Sequence, residues 1–232
     1  METTLHRQLK QHYADDEGQM EVPLGKYRID AIAGDWLVEI QNGTLSAIRD
    51  KIRVLLKKHR VLVVKPLVVR KHLVKTAGRG GAVVKRRLSP KRASHLDIFH
   101  DLVHFTGVFP HARLAIECPL IEIEEWRHPG HGRRRRWRER DHEVEDQRLV
   151  AVLDTLRLET AGDLLTMLPS GLPRQFDTGE LAEGLGVDRW IAQRVAYCLR
   201  KTGAAVSVGK RGNAHLYEIQ RRTRVRKRKS VA

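Results

Sequence analysis

The sequence predicts an α/β domain at the N-terminus and a mainly α domain at the C-terminus, and three observations carry that reading. In the first third, amphipathic and alternating segments follow in the order helix, three strands, helix, strand. After Trp126 the composition turns abruptly to RHPGHGRRRRWRERDHE, a run of like charges that repels itself. Beyond it, helical periodicity with capping residues leads to a hairpin around Gly-Lys-Arg-Gly. The expected layout is an α/β domain over 1–126, an Arg-rich linker over 127–145, a mainly α domain over 146–220 and a basic tail over 221–232.

Leu5, Leu9 and His12 or Tyr13 recur at helical spacing, so Thr4–Tyr13 is expected to lay one face on a sheet. Glu21–Leu24 is the first expected strand. Tyr27–Ile32 and Trp36–Gln41, separated by Ala33-Gly34-Asp35, predict a hairpin. Thr44–His59 gathers Leu45, Ile48, Ile52, Leu55 and Leu56 on one helical face and leaves Arg49, Lys51, Arg53, Lys57 and Lys58 elsewhere. Val61–Val64 reads as a strand, and Arg60–Lys75 as two strands broken at Lys65-Pro66. A helix over His95–Phe105 and one or two strands over Arg113–Glu125 follow, the latter interrupted at Cys118-Pro119.

Chemistry concentrates on the hairpin. Residues two apart on a strand share a face, so Glu39 and Gln41 emerge together, and pairing across the turn brings Asp30 within reach of Glu39. Two carboxylates converging at a strand end make an oxygen-rich pocket suited to a hard cation such as Mg²⁺ or Mn²⁺. These residues resemble the signature of the PD-(D/E)XK nuclease superfamily, the restriction-endonuclease-like fold: an Asp, a gap across a hairpin, then Glu-x-Lys, here in a Glu-x-Gln variant. The element order resembles that superfamily's αβββαβ core over about the first third of the chain. The resemblance implies Asp30 and Glu39 as catalytic metal ligands, Gln41 as the group that positions water, and Glu21, better placed than Glu17, as a further acid. It also implies a charge that Gln41 lacks. Lys51 or Lys65 could bring it from a neighbouring element, and the sequence does not select between them.

A net charge of +16 and a pI of about 10.3 point to polyanions, nucleic acid foremost. Two distant cysteines, Cys118 and Cys198, give no disulfide framework or zinc ribbon. The N-terminus lacks the apolar core of a signal peptide, and Val61–Val69, broken by Lys65-Pro66, is far too short to span a bilayer. No membrane association is expected; the expected place is the cytoplasm, near the nucleoid. TAGRGG at Thr76–Gly81 lacks the Gly-Lys-Ser/Thr ending of a phosphate loop. His100 and His104 enclose Asp101 where the zinc protease motif needs Glu after the first His, so they read as surface residues.

In the second half, Leu149, Val150, Leu153 and Leu156 suggest a helix over Asp146–Leu158, and Gly162–Leu168 another. Asp177 or Thr178 caps a helix running through Leu185, and Asp188 caps one ending near Thr202, closed by Gly203. Ala205–Val208 and Ala214–Ile219 then flank a basic hairpin tip. This layout resembles a winged helix-turn-helix domain over Gln147–Ile219. The resemblance implies Arg189 and Gln193 as base readers, with Arg194 and Lys201 on the exposed faces of the same helix, and Arg200, Lys210 and Arg211 on phosphates. Arg134 and Arg135 in the linker are further phosphate candidates. The two halves together are similar to an uncharacterised group of bacterial proteins that join such domains. The resulting expectation is a metal-dependent DNA endonuclease, with a homodimer as one way to cut both strands. Its rivals are a non-cleaving DNA-binding regulator and a protein scaffold with an RNA-binding tail.

Overall fold

The computed structural model describes residues 2–14, 19–130 and 141–220. Its contacts divide the chain into two compact units, Met1–Glu159 and Thr160–Ala232.

The first unit is built on an eight-stranded sheet. Helix α1 (Thr4–Tyr13) precedes β1 (Met20–Leu24), β2 (Tyr27–Ala33) and β3 (Trp36–Ile40). A 3₁₀ turn over Leu45–Ile48 leads into α2 (Arg49–Leu55), then β4 (Arg60–Val64), β5 (Leu67–Thr76) and β6 (Val83–Leu88). Helix α3 (Ile98–Leu102) returns the chain to β7 (Leu114–Pro129), and β8 (His142–Leu158) closes the unit. The order across the sheet is β1-β2-β3-β4-β7-β5-β6, with β8 also on β7. β4 and β5 pair in parallel with successive stretches of β7, whereas β8 runs antiparallel along both stretches. A strand has two edges, so β8 takes the one that β4 and β5 leave.

Burial explains this arrangement. Leu5 and Leu9 of α1 pack on Val38, Ile40, Leu62, Val64, Ile121 and Ile123. The alternate strand residues Val61, Val63, Leu114 and Ile116 are buried as completely, as a sheet covered on both faces requires. Helices α2 and α3 bury Ile52, Leu55, Phe99 and Leu102. Each such side chain contributes roughly 1.5–3 kcal/mol relative to exposure.

The second unit holds a 3₁₀ segment (Ala161–Met167), β9 (Gln175–Phe176), α4 (Thr178–Leu185), α5 (Arg189–Thr202), β10 (Ala205–Arg211) and β11 (Ala214–Ile219). Asp177 caps α4 by accepting from the Gly179 and Glu180 amides, and Gly203 ends α5 at φ 80°. The strands form a sheet in the order β10-β11-β9.

These observations correct the expected fold class. The chain is mixed α/β around a large sheet, and its C-terminal unit, with a three-stranded sheet beside two helices, is not a mainly α winged-helix domain. The helix expected over Asp146–Leu158 is strand β8, and it belongs to the first unit. The residues set aside as linker include the ends of β7 and β8, so the division falls at Glu159–Thr160, later than expected. The reason for the misreading lies in the pairing. The β7–β8 register shifts three times, and each extra residue breaks strict alternation, so a half-buried strand imitates helical spacing.

Candidate functional site

The β2–β3 hairpin closes through Gly34 and Asp35, with Gly34 at φ 56°, the left-handed conformation such a two-residue loop places on glycine. Ala31 pairs with Val38, so the next step outward sets Asp30 across from Glu39. Asp30 Oδ2 accepts a hydrogen bond from the Ile40 amide at 2.7 Å, which fixes the carboxylate at the strand end. From α1, His6 Nε2 stands 3.5 Å from Asp30 Oδ1. Burial works against the Asp30 charge, but His6, the Ile40 amide and Lys51 outweigh it and hold its carboxyl below the usual range.

Glu39 is in a different state. It is only 4% exposed. Lys51 Nζ, from α2, lies 2.6 Å from Glu39 Oε1 and forms an ion pair with it. Burial, with the Asp30 charge adding to it, pushes the Glu39 carboxyl up to about 7 against the pull of Lys51. A buried carboxylate next to a second carboxylate is a set of hard oxygen donors of the kind Mg²⁺ or Mn²⁺ takes. Among the described residues, no three of His, Cys, Asp and Glu gather into a ready ligand set. Among the described residues, the pair is the site's carboxylate contribution.

The two lysines that the sequence left open are separated here. Lys51 faces the pair and also donates to the Arg28 carbonyl at 2.6 Å. Lys65 points elsewhere, to Asp101 at 3.1 Å and to the Gly43 carbonyl, so it braces the loop before α2. Its partner Asp101 accepts from the Leu45 amide, which gives that acid a structural task. Gln41 lies just past β3, and its Nε2 donates to the Thr44 carbonyl at 2.9 Å.

Glu21 is held apart from the pair. Its φ of 56° is left-handed, a conformation that costs a non-glycine residue about 1–2 kcal/mol. Its carboxylate binds Lys10 of α1 and Arg28. Lys10 is itself buried and also meets Glu2; burial opposes its charge, but the two carboxylates hold its ammonium in the charged form. A cleft of about 450 Å³ opens over Glu2, Thr3, His6, Lys10, Glu21 and Asn42, and His6 is the link from it to Asp30. His6 and Lys10 were missed from sequence. The available signal was their spacing of four beside the apolar stripe of Leu5 and Leu9.

In the second unit, Arg189, Gln193 and Arg200 are exposed on α5, and Lys201 ends the same helix exposed. Lys210 and Arg211 lie at the end of β10, but Arg211 is engaged by Glu180 of α4 at 3.0 Å. Arg134, Arg135, Glu17 and the tail fall outside the described residues.

The family described as "Domain of unknown function (DUF8091)" matches residues 3–159. The chain belongs to this family. The DUF8091 stretch ends where the first compact unit ends, so the hairpin, α1 and α2 lie inside it. An "Uncharacterized protein" of Treponema pallidum (strain Nichols) is 30% identical over 218 residues, covering 93% of this chain and 84% of that protein. That likeness is longer than the DUF8091 stretch. No solved structure matches.

Proposed function

We propose that the chain is a metal-dependent DNA endonuclease of the PD-(D/E)XK kind, with Asp30 and Glu39 holding one or two Mg²⁺ or Mn²⁺ ions. The observation that carries this reading is Glu39: nearly fully buried, beside Asp30 at the end of the hairpin, and paired through Oε1 with the Lys51 ammonium. The metal would supply activation of water and neutralisation of charge at phosphorus. Lys51 supplies the fixed positive charge that Gln41 lacks, and it lies where phosphate oxygens would meet the carboxylate pair. Gln41, with its amide nitrogen on Thr44, retains a side-chain oxygen to orient water. The net charge of +16 and the basic residues of α5 support DNA as the partner, and such a chain belongs in the cytoplasm at the nucleoid. No helix among the described residues is long and apolar enough to cross a membrane. A double-strand cut calls for two hairpins, which favours a homodimer on DNA.

The test is supercoiled plasmid with Mg²⁺ or Mn²⁺. The wild-type chain nicks it, and Asp30→Asn and Glu39→Gln each lower the rate by at least about 100-fold while gel-shift affinity stays within a few fold. Nicking that survives both substitutions overturns the proposal. One observation favours a second reading, a DNA-binding regulator that does not cut: the Gln41 amide nitrogen is already spent on the Thr44 carbonyl. Binding without nicking in either metal selects that reading.

A further inference from the structure

Helix α5 presents two adjacent stripes. Arg189, Gln193 and Arg200 form one; Trp190, Arg194, Tyr197 and Lys201, spaced four, three and four apart, form the other. The opposite side is core: Ala192, Val195, Ala196, Cys198 and Leu199 are all buried. On the outer side, Trp190 is 48% and Tyr197 37% exposed. Both rings carry cations. The Arg194 guanidinium lies 5.1 Å from the centre of the Trp190 ring, and the Lys201 ammonium lies 5.9 Å from that of Tyr197. The Trp190 indole N–H donates to Asp188 at 3.3 Å, which steadies the ring. From Arg189 to Thr202 the helix has no acidic residue.

We infer that this stripe of α5 binds unpaired nucleotides, with bases stacking on Trp190 and Tyr197 and phosphates meeting Arg194 and Lys201. The inference rests on the reading of DNA as partner and deepens it, naming single-stranded or branched DNA as the favoured substrate class. Flat aromatic faces are of little use against a duplex, whose base faces are covered by their neighbours; an unpaired base offers both. The alternation of ring and cation matches the alternation of base and phosphate along a strand. A partner protein with an acidic, apolar surface is the competing occupant, and the stripe's rings and cations in alternation fit a strand of bases and phosphates better.

The experiment uses the full chain in EDTA, so that binding is read without cleavage. Fluorescence anisotropy measures affinity for a labelled twenty-nucleotide oligo(dT) and for a duplex of equal length. The expected result is tighter binding of the single strand. Trp190→Ala and Tyr197→Ala should each weaken it about 10-fold or more, while duplex affinity changes less than about threefold. Trp190→Phe and Tyr197→Phe keep a stacking face and should recover most of the loss. Equal loss on both nucleic acids, unchanged oligo(dT) affinity in the alanine variants, or no binding to either would overturn the inference. Binding in EDTA and plasmid nicking in Mg²⁺ are separate readouts, so a hairpin that fails to cut does not decide the outcome.

Discussion

Two buried carboxylates in the first unit are treated in opposite ways. Glu125, on β7 in the same sheet, is 3% exposed and fully served: Lys71 donates at 2.6 Å, Gln147 at 2.8 Å, and Arg127 binds its other oxygen. Burial alone would raise its carboxyl, but these donors reverse that and hold it below the usual range. Glu39, on β3 and equally buried, has Lys51 as its one charged partner where Glu125 has two cations and an amide, and it is pushed up to about 7. Where a carboxylate only stabilises a sheet, the neighbours complete its shell. At Glu39 the shell is thinner and a second carboxylate is brought alongside, and burial there raises the carboxyl instead.

The contrast breaks most visibly at Glu125. Glu125→Ala strands Lys71 and Arg127, and the expected loss is about 3–5 kcal/mol in urea unfolding at pH 7. A depressed carboxyl contributes stability that is present above its unfolded value, and that contribution fades as pH falls through the folded one. Wild type should therefore lose stability on acidification, and Glu125→Gln should show less of that dependence. A Glu125→Ala chain as stable as wild type would erase the distinction between the two sites.

Glu39 has the reverse sign. Its folded carboxyl lies above its unfolded value of 4.5, so its favourable contribution is present below that value and is lost as pH rises toward about 7. In EDTA, Glu39→Gln is expected to be more stable than wild type by about 1–3 kcal/mol at pH 8.5 and no more stable at pH 5, measured by urea unfolding. The same substitution should abolish any stabilisation by Mg²⁺. A variant less stable than wild type at pH 8.5 would mean that the Lys51 ion pair outweighs burial.

Much of this was legible in the sequence, and the failures have physical causes. The hairpin could be read because Gly34 and two β-branched runs admit one pairing, and that pairing alone sets Asp30 opposite Glu39. Lys51 could not be chosen over Lys65, because the choice depends on how α2 and β4 turn about their axes; only its place beside the stripe of Ile48, Ile52 and Leu55 hinted at burial. Strand β8 was hidden by its bulges. β6 was missed because its residues are all exposed, which leaves no alternation to read. Long-range partners such as Lys71 and Gln147 for Glu125 leave no local trace at all.

Smaller effects sharpen the comparison. Lys51→Met should cut plasmid nicking by about 100-fold with little change in DNA affinity, whereas Lys65→Met should act through stability, lowering the unfolding midpoint with its release of Asp101. Equal effects of the two on nicking at matched stability would contradict the assignment of Lys51. The smallest expected change in nicking is at Glu21. Glu21→Gly relieves a left-handed φ but leaves the buried Lys10 with Glu2 alone, so stability should fall by about 1–3 kcal/mol while nicking shifts by less than about threefold. A large loss of nicking would make Glu21 part of the site.

The most direct measurement is calorimetric titration of the full chain with Mn²⁺ in buffers of different ionisation heat. With Glu39 near half-protonated at pH 7, binding should release about half a proton per site, falling to none by pH 9, and both heat and proton release should vanish in Glu39→Gln. Mn²⁺ that binds Glu39→Gln and Asp30→Asn as well as wild type, or that does not bind at all, contradicts the account.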